Sequence, residues 1–154
     1  MQVELISIVE PILKKAGDKI MDIYNSERSK VVDYKEDDSP LTLADLASNS
    51  EIVDGLSHHF DYPIISEELE NVAYRERKEF DKFWCVDPLD GTKEFINRNG
   101  EFTVNIALIE NNLPVFGGIY LPYKDVYYFG VNDVGAFKKV GNGELKRLNV
   151  NQNT

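Results

Sequence analysis

The sequence predicts an α+β domain in which two amphipathic helices pack on one face of an antiparallel sheet. Three observations carry this. Apolar residues recur every three or four positions in two long N-terminal segments. After Glu101 the chain becomes a series of β-branched and aromatic runs, each closed by a turn-forming cluster. Between these halves, two short apolar runs end abruptly in acidic residues.

Ile6, Val9, Leu13, Ala16, Ile20 and Ile23 define one face of a helix over roughly residues 2–25, with Pro11 as a kink or a late start. The polar segment "SERSKVVDYKEDDSP" predicts a short strand or hairpin arm at 31–34 and then a loop. A second helix starts near Thr42, with Leu43, Ala47, Ser50, Val53, Leu56 and Phe60 as its buried stripe. Residues 62–66 read as a buried strand that runs into Glu67 and Glu68. The charged stretch 69–80 reads as a surface loop, helical in part. Residues 82–86 form the next strand, and "TKEFINR" gives one or two helical turns. "FTVNIALIE", "LPVFGGIYLP", "VYYFGV", "AFKKV" and "LKRLNV" then form an antiparallel meander, punctuated by Asn111-Asn112, Lys124-Asp125, "NDVG" and "GNGE". Nothing downstream covers the second face of this sheet, so an open face is expected.

Composition narrows the function. With 154 residues, 42% of them apolar, the chain has enough for one core. A formal net charge of −10 excludes binding a nucleic acid polymer through a broad basic face. A small phosphorylated ligand needs only local positive charge, such as a metal ion. The single cysteine, Cys85, fits a reducing compartment, the cytoplasm, and reads as a small buried hydrophobe between Trp84 and Val86. The N-terminal stretch lacks the pattern of a signal peptide, and no uncharged apolar run reaches the length of a membrane span.

The chemistry concentrates in "WCVDPLDGTKEF", residues 84–95. Asp-Pro and Asp-Gly are ordinary turn dipeptides, and the stretch alone reads equally well as a turn. Glu67 and Glu68 shift that balance, because two separate strands then end in acid. If the strands are neighbours, Glu67, Asp87 and Asp90 converge, and close carboxylates raise one another's pKa unless a cation offsets their charge. The donors are all oxygen, with the bend at Pro88 offering the Leu89 carbonyl as well, which suits Mg²⁺ or Mn²⁺ rather than zinc. The spacing is not that of an EF-hand loop. Gly91 permits close backbone approach, and the Gly91 and Thr92 amides open a short helix toward an anion. Together these features suggest metal-assisted phosphate ester hydrolysis, with Thr92 orienting and deprotonating a water. Asp45 has two readings: the end of a capping box, Thr42-x-x-Asp45, or the acceptor of the Thr92 hydroxyl. Lys35 reads as a solvated lysine able to reach a phosphate. His58 and His59 read as surface residues.

"DPLDGTKEF" resembles the D-P-[ILV]-D-G-[ST] motif of the lithium-sensitive, magnesium-dependent phosphatases of the inositol monophosphatase superfamily. "SPLTLAD", "SEE" and "GTKEFINRNGEFTVNIALI" are most similar to its CysQ branch, the 3'(2'),5'-bisphosphate nucleotidases. The resemblance implies the N-terminal lobe of the inositol monophosphatase-like fold. It implies two or three Mg²⁺ per complete site, held by Glu67, Asp87, the Leu89 carbonyl and Asp90. Thr92, paired with Asp45 and helped by Glu67, would activate water, while Glu68 would support the metal ligands. Glu67, Leu89, Asp90, Gly91 and Thr92 would face the substrate. The implied reaction converts adenosine 3',5'-bisphosphate to AMP and phosphate in sulfur assimilation, in the cytoplasm or loosely at the inner membrane face, by a monomer or a homodimer. An inositol or other sugar phosphatase, and a non-catalytic metal- and nucleotide-binding fragment, are the other two readings. Members of the family carry a second lobe with a Trp-Asp motif that does not occur here, so weak metal binding and little turnover are expected of these 154 residues alone.

Overall fold

The computed structural model describes residues 4–26, 40–69 and 72–150. Helix α1 spans Glu4–Asn25 and α2 spans Pro40–His59. They are followed by β1 (Ile64–Ser66), a short α3 (Tyr74–Arg77), β2 (Lys82–Asp90) and a short α4 (Thr92–Ile96). The meander is β3 (Thr103–Glu110), β4 (Leu113–Leu121), β5 (Val126–Val131), β6 (Gly135–Val140) and β7 (Lys146–Leu148). All seven strands form one sheet whose spatial order repeats the chain order. The predicted strand at 31–34 and Lys35 lie outside the described residues.

Every strand pair is antiparallel except β1–β2, which is parallel and aligns Ile64 with Trp84 and Ser66 with Val86. The sheet is therefore mixed, and the charged stretch after β1 with α3 serves as the crossover that a parallel pair requires. Asn111 and Asn112 form the two-residue turn between β3 and β4. Their positive φ values, 51° and 63°, match the twist of a tight hairpin.

Helix α1 buries Ile6, Val9, Leu13, Ala16 and Ile20 as the spacing predicts, and adds Ile12, Gly17 and Tyr24. Pro11 lies inside the helix on its exposed side and does not mark its start. The helix rests directly on β4: a Cβ at Gly17 would lie 2.3 Å from Tyr120 Cε1. On the sheet, Trp84, Val104, Ile106, Phe116 and Phe129 point toward the helices and are nearly or fully buried.

Helix α2 departs from expectation in two respects. It begins at Pro40, a residue suited to the first helical position because an amide there has no intrahelical partner. Thr42 thus lies within the first turn, and Thr42-x-x-Asp45 is not a capping box. The buried stripe is Ala44, Ser48, Asn49, Ile52 and Leu56, while Leu43 and Leu46 are 37% and 46% exposed. Of the predicted stripe Leu56 is buried, while Leu43 and Ser50 are exposed and Ala47 and Val53 half-buried. The helix instead turns small and polar residues inward, for reasons that lie at the strand ends.

Among the described residues, nothing covers the far face of the sheet. A row in register crosses it through Ile65, Cys85, Ala107, Gly117, Gly130 and Ala136. A Cβ added at Gly117 or Gly130 would find no atom within 4 Å. Cys85 belongs to this row and is exposed, which corrects its reading as a buried hydrophobe. Strand alternation decides the matter: Trp84 and Val86 take the inward positions, so Cys85 points out. Cys85 in the native chain is therefore expected to react stoichiometrically with an aromatic disulfide reagent without denaturant. Protection until the chain unfolds would mean that this face is covered.

His58 and His59 end α2 and are exposed, as expected. Among the described residues, no helix is long and apolar enough to cross a membrane.

Candidate metal and phosphate site

The ladder between β2 and β3 explains why two aspartates stand three residues apart. Asp87 pairs with Asn105, and Asp90 pairs with Thr103, so β2 carries one residue more than its partner across this interval. In a regular strand, residues three apart face opposite ways. The bulge at Pro88–Leu89 absorbs the extra residue and returns Asp87 and Asp90 to the same side of the sheet. Asn105, directly across from Asp87, donates from Nδ2 to Asp90 Oδ2 at 3.3 Å.

The parallel register brings the second acidic strand end alongside. Ser66 pairs with Val86, and the Glu67 amide donates to the Val86 carbonyl at 3.4 Å. Glu67 and Glu68 therefore leave β1 where Asp87 begins the bulge. Glu67 is exposed and Glu68 half-buried.

Asp45 approaches from α2. Burial, then the charges of Glu68, Asp87 and Glu67, push its pKa up to about 7 from 3.8, and it shares a hydrogen bond with Glu68. Burial also raises Asp87, with Asp90 and Glu67 adding to it, against the Leu89 amide, which donates to the carboxylate and pulls the other way. The three acidic segments are thus within electrostatic reach of one another. Asp45 Oδ1 and Asp87 Oδ1 are both buried without a hydrogen-bond partner. Asp45 consequently receives nothing from the Thr92 hydroxyl at that oxygen.

Gly91 closes the site on the other side. Its φ of 99° is in the region that favours glycine, and a Cβ there would lie 3.1 Å from Phe102 Cα and 3.2 Å from the Glu101 carbonyl oxygen. Both the conformation and the space therefore require glycine. The Gly91 carbonyl accepts from the Phe95 amide, starting α4, and the amides of its first turn have no intrahelical partner. Thr92 is exposed at this start.

The donor set fits a hard divalent cation: carboxylates from three elements, two of them with buried, unpartnered oxygens. Among the described residues, no three His, Cys, Asp or Glu side chains are already arranged to hold a metal ion.

Sequence reasoning missed four residues here. Ser48 donates to the Pro88 carbonyl within the bulge at 2.8 Å. Ser66 donates to Asn49 Oδ1 at 2.6 Å. Asn105 steadies Asp90. The available signal was polarity at positions where the periodicity asks for an apolar residue: Ser48 and Asn49 beside Ile52 in α2, and Ser66 at the end of an Ile-Ile run.

Known proteins resemble this chain over most of its length. The chain is 46% identical over 142 residues to the 3'(2'),5'-bisphosphate nucleotidase CysQ of Buchnera aphidicola, covering 92% of this chain and 53% of that protein. It is 47% identical over 118 residues to the Escherichia coli K12 protein of the same name, covering 76% of this chain and 48% of the relative. The crystal structure of CysQ from Bacteroides thetaiotaomicron superposes with a TM-score of 0.81 at 46% identity, over 92% of this chain and 50% of that one. The extragenic suppressor protein SuhB from Bartonella henselae superposes with a TM-score of 0.70 at 25% identity, over 88% and 51% of the two chains. The chain spans about half the length of the curated relatives it matches. The profile of the inositol monophosphatase family matches residues 1–154, and the chain belongs to that family.

Proposed function

We propose that these residues form the N-terminal lobe of a Mg²⁺-dependent phosphomonoesterase that converts adenosine 3',5'-bisphosphate to AMP and phosphate. The observation that carries the reading is the β2 bulge, which sets Asp87 and Asp90 on one side of the sheet beside Glu67. The high identity to relatives named as bisphosphate nucleotidases supports the substrate class.

Glu67, Asp87, the Leu89 carbonyl and Asp90 are the groups that would hold the metal, with Mn²⁺ able to replace Mg²⁺. The chemistry a bound Mg²⁺ supplies is Lewis acidity toward phosphate and toward water. The chain's own residues do the rest. The Gly91 and Thr92 amides orient the substrate phosphate at the start of α4. The Thr92 hydroxyl aligns the attacking water, and its proton passes toward Glu67 or Asp45. Asp45, whose Oδ1 is buried without a partner, offers a carboxylate oxygen to that proton. Residues that recognise the nucleoside would come from a second lobe, as they would in the longer relatives.

The test is phosphate release by the full-length protein in Mg²⁺, with adenosine 3',5'-bisphosphate and inositol monophosphate compared side by side. A kcat/KM at least about tenfold higher for the nucleotide is expected. The opposite preference would assign a sugar phosphatase. Tight metal and nucleotide binding with no hydrolysis would assign a binding module.

A further inference from the structure

Three polar side chains are buried among the described residues: Ser48 fully, Asn49 and Ser66 each 7% exposed. A buried hydroxyl or amide is costly unless it is hydrogen-bonded, and an apolar residue fills a core position more simply. All three are hydrogen-bonded, and the two serines make their bonds beside an acid. The Ser48 hydroxyl donates to the Pro88 carbonyl, between Asp87 and Asp90. The Ser66 hydroxyl donates to Asn49 and accepts from the Glu68 amide at 3.4 Å, immediately next to Glu67. Asp45 precedes Ser48 and Asn49 by three and four residues, so it lies on the same side of α2. Two adjacent residues of one helix thus grip both acidic strand ends, one turn from that helix's own acid.

We infer that Ser48, Asn49 and Ser66 are positioning residues, a polar tie that holds the α2 acid, the β1 acids and the bulged aspartates near one another so that a divalent cation can draw them together. The inference rests on the metal reading given above. None of the three is itself a ligand. The tie also explains why α2 turns Leu43 and Leu46 outward: the inward positions of that turn are committed to these bonds. Repulsion among Asp45, Glu67, Glu68 and Asp87 pushes the elements apart, and the tie holds them against it.

The test titrates Mn²⁺, followed by electron paramagnetic resonance, into the metal-free 154-residue chain and five variants. Ser66→Ala and Asn49→Leu are each expected to weaken Mn²⁺ binding about tenfold. Ser66→Thr keeps the hydroxyl and is expected to bind as the unaltered chain does. The double variant Asn49→Leu/Ser66→Ala removes both partners, so its melting temperature is expected to recover while its Mn²⁺ affinity stays low. Affinity that recovers together with the melting temperature would make the tie merely structural and overturn the inference. If Ser66→Ala fails to fold, the double variant and Ser66→Thr decide. Asp87→Asn separates the two levels. Equal Mn²⁺ binding by Ser66→Ala while Asp87→Asn has lost it removes only the tie. No Mn²⁺ uptake by the unaltered chain, or undiminished uptake by Asp87→Asn, removes the metal reading and the tie with it.

Discussion

Asp87→Asn is expected to weaken divalent-cation binding at least about a hundredfold and, in the absence of metal, to leave the chain as stable as before or more so. The two effects have one cause. Asp87 sits at the bulge with Oδ1 buried and unpartnered, and its pKa is raised by burial and by Asp90 and Glu67. A charge held in that position is a cost to the fold until a cation shares it. An uncharged amide removes the cost and the ligand together. Removing a supporting residue typically costs ten- to a hundredfold in metal affinity, so losing a direct ligand should cost at least about the upper end of that range. Calorimetric titration with Mg²⁺ and thermal melts with and without metal read both effects. A variant that melts earlier and still binds Mg²⁺ would show that Asp87 acts in packing and not at the metal. This substitution tests the site and leaves the substrate open, because a sugar phosphatase or a binding module would lose its cation in the same way.

Asp45→Asn is expected to raise the melting temperature of the metal-free chain at pH 8 and to flatten its dependence on pH. Asp45 has a folded pKa of about 7 against an ordinary value of 3.8. Between those values the folded chain keeps a proton that the unfolded chain has released. Stability linked to this proton is therefore fully present below about pH 4 and is lost as pH rises through 7. Asp87 is raised as well and contributes with the same sign. Asp45 retains some contact with water, which screens its neighbours, so the gain from Asp45→Asn at pH 8 is placed at about 1–2 kcal/mol, or about 2–8 °C. Melting curves from pH 5 to 8 check this. Saturating Mg²⁺ should flatten the curve of the unaltered chain, since the cation compensates the charges that the proton otherwise removes. A metal-free melting temperature that climbs with pH over this window would contradict the placement of Asp45 among the acids.

Much of this architecture is legible in residue spacing, and the exceptions share a physical reason. The α1 stripe, the five strands after Glu101 and the Asn111-Asn112 turn follow from periodicity and turn chemistry, which are local properties. The parallel pairing of β1 is not local. Nothing in the Ile-Ile-Ser run states which direction its neighbour takes, and the crossover, read as a surface loop that is helical in part, implies no direction either. The α2 stripe was misplaced because hydrophobicity was assumed to mark the inward side, whereas Ser48 and Asn49 are drawn inward by partners on other elements. Cys85 was judged by residue type when alternation with Trp84 and Val86 gave the better answer. At the site, the acidic strand ends were visible as composition. The bulge that aligns Asp87 with Asp90 depends on the register of β3, which only the folded chain reveals.

The strand order has a consequence for how the chain can assemble. Because each strand lies beside its predecessor in the chain, none must wait for a distant segment before it can pair, and none has to be threaded between strands already in place. Such an arrangement can grow vectorially during synthesis, with α1, α2 and the two acid-bearing strands emerging first and each later hairpin added to a free edge. The acid-bearing strand ends would then be in place before β6 and β7 have left the ribosome.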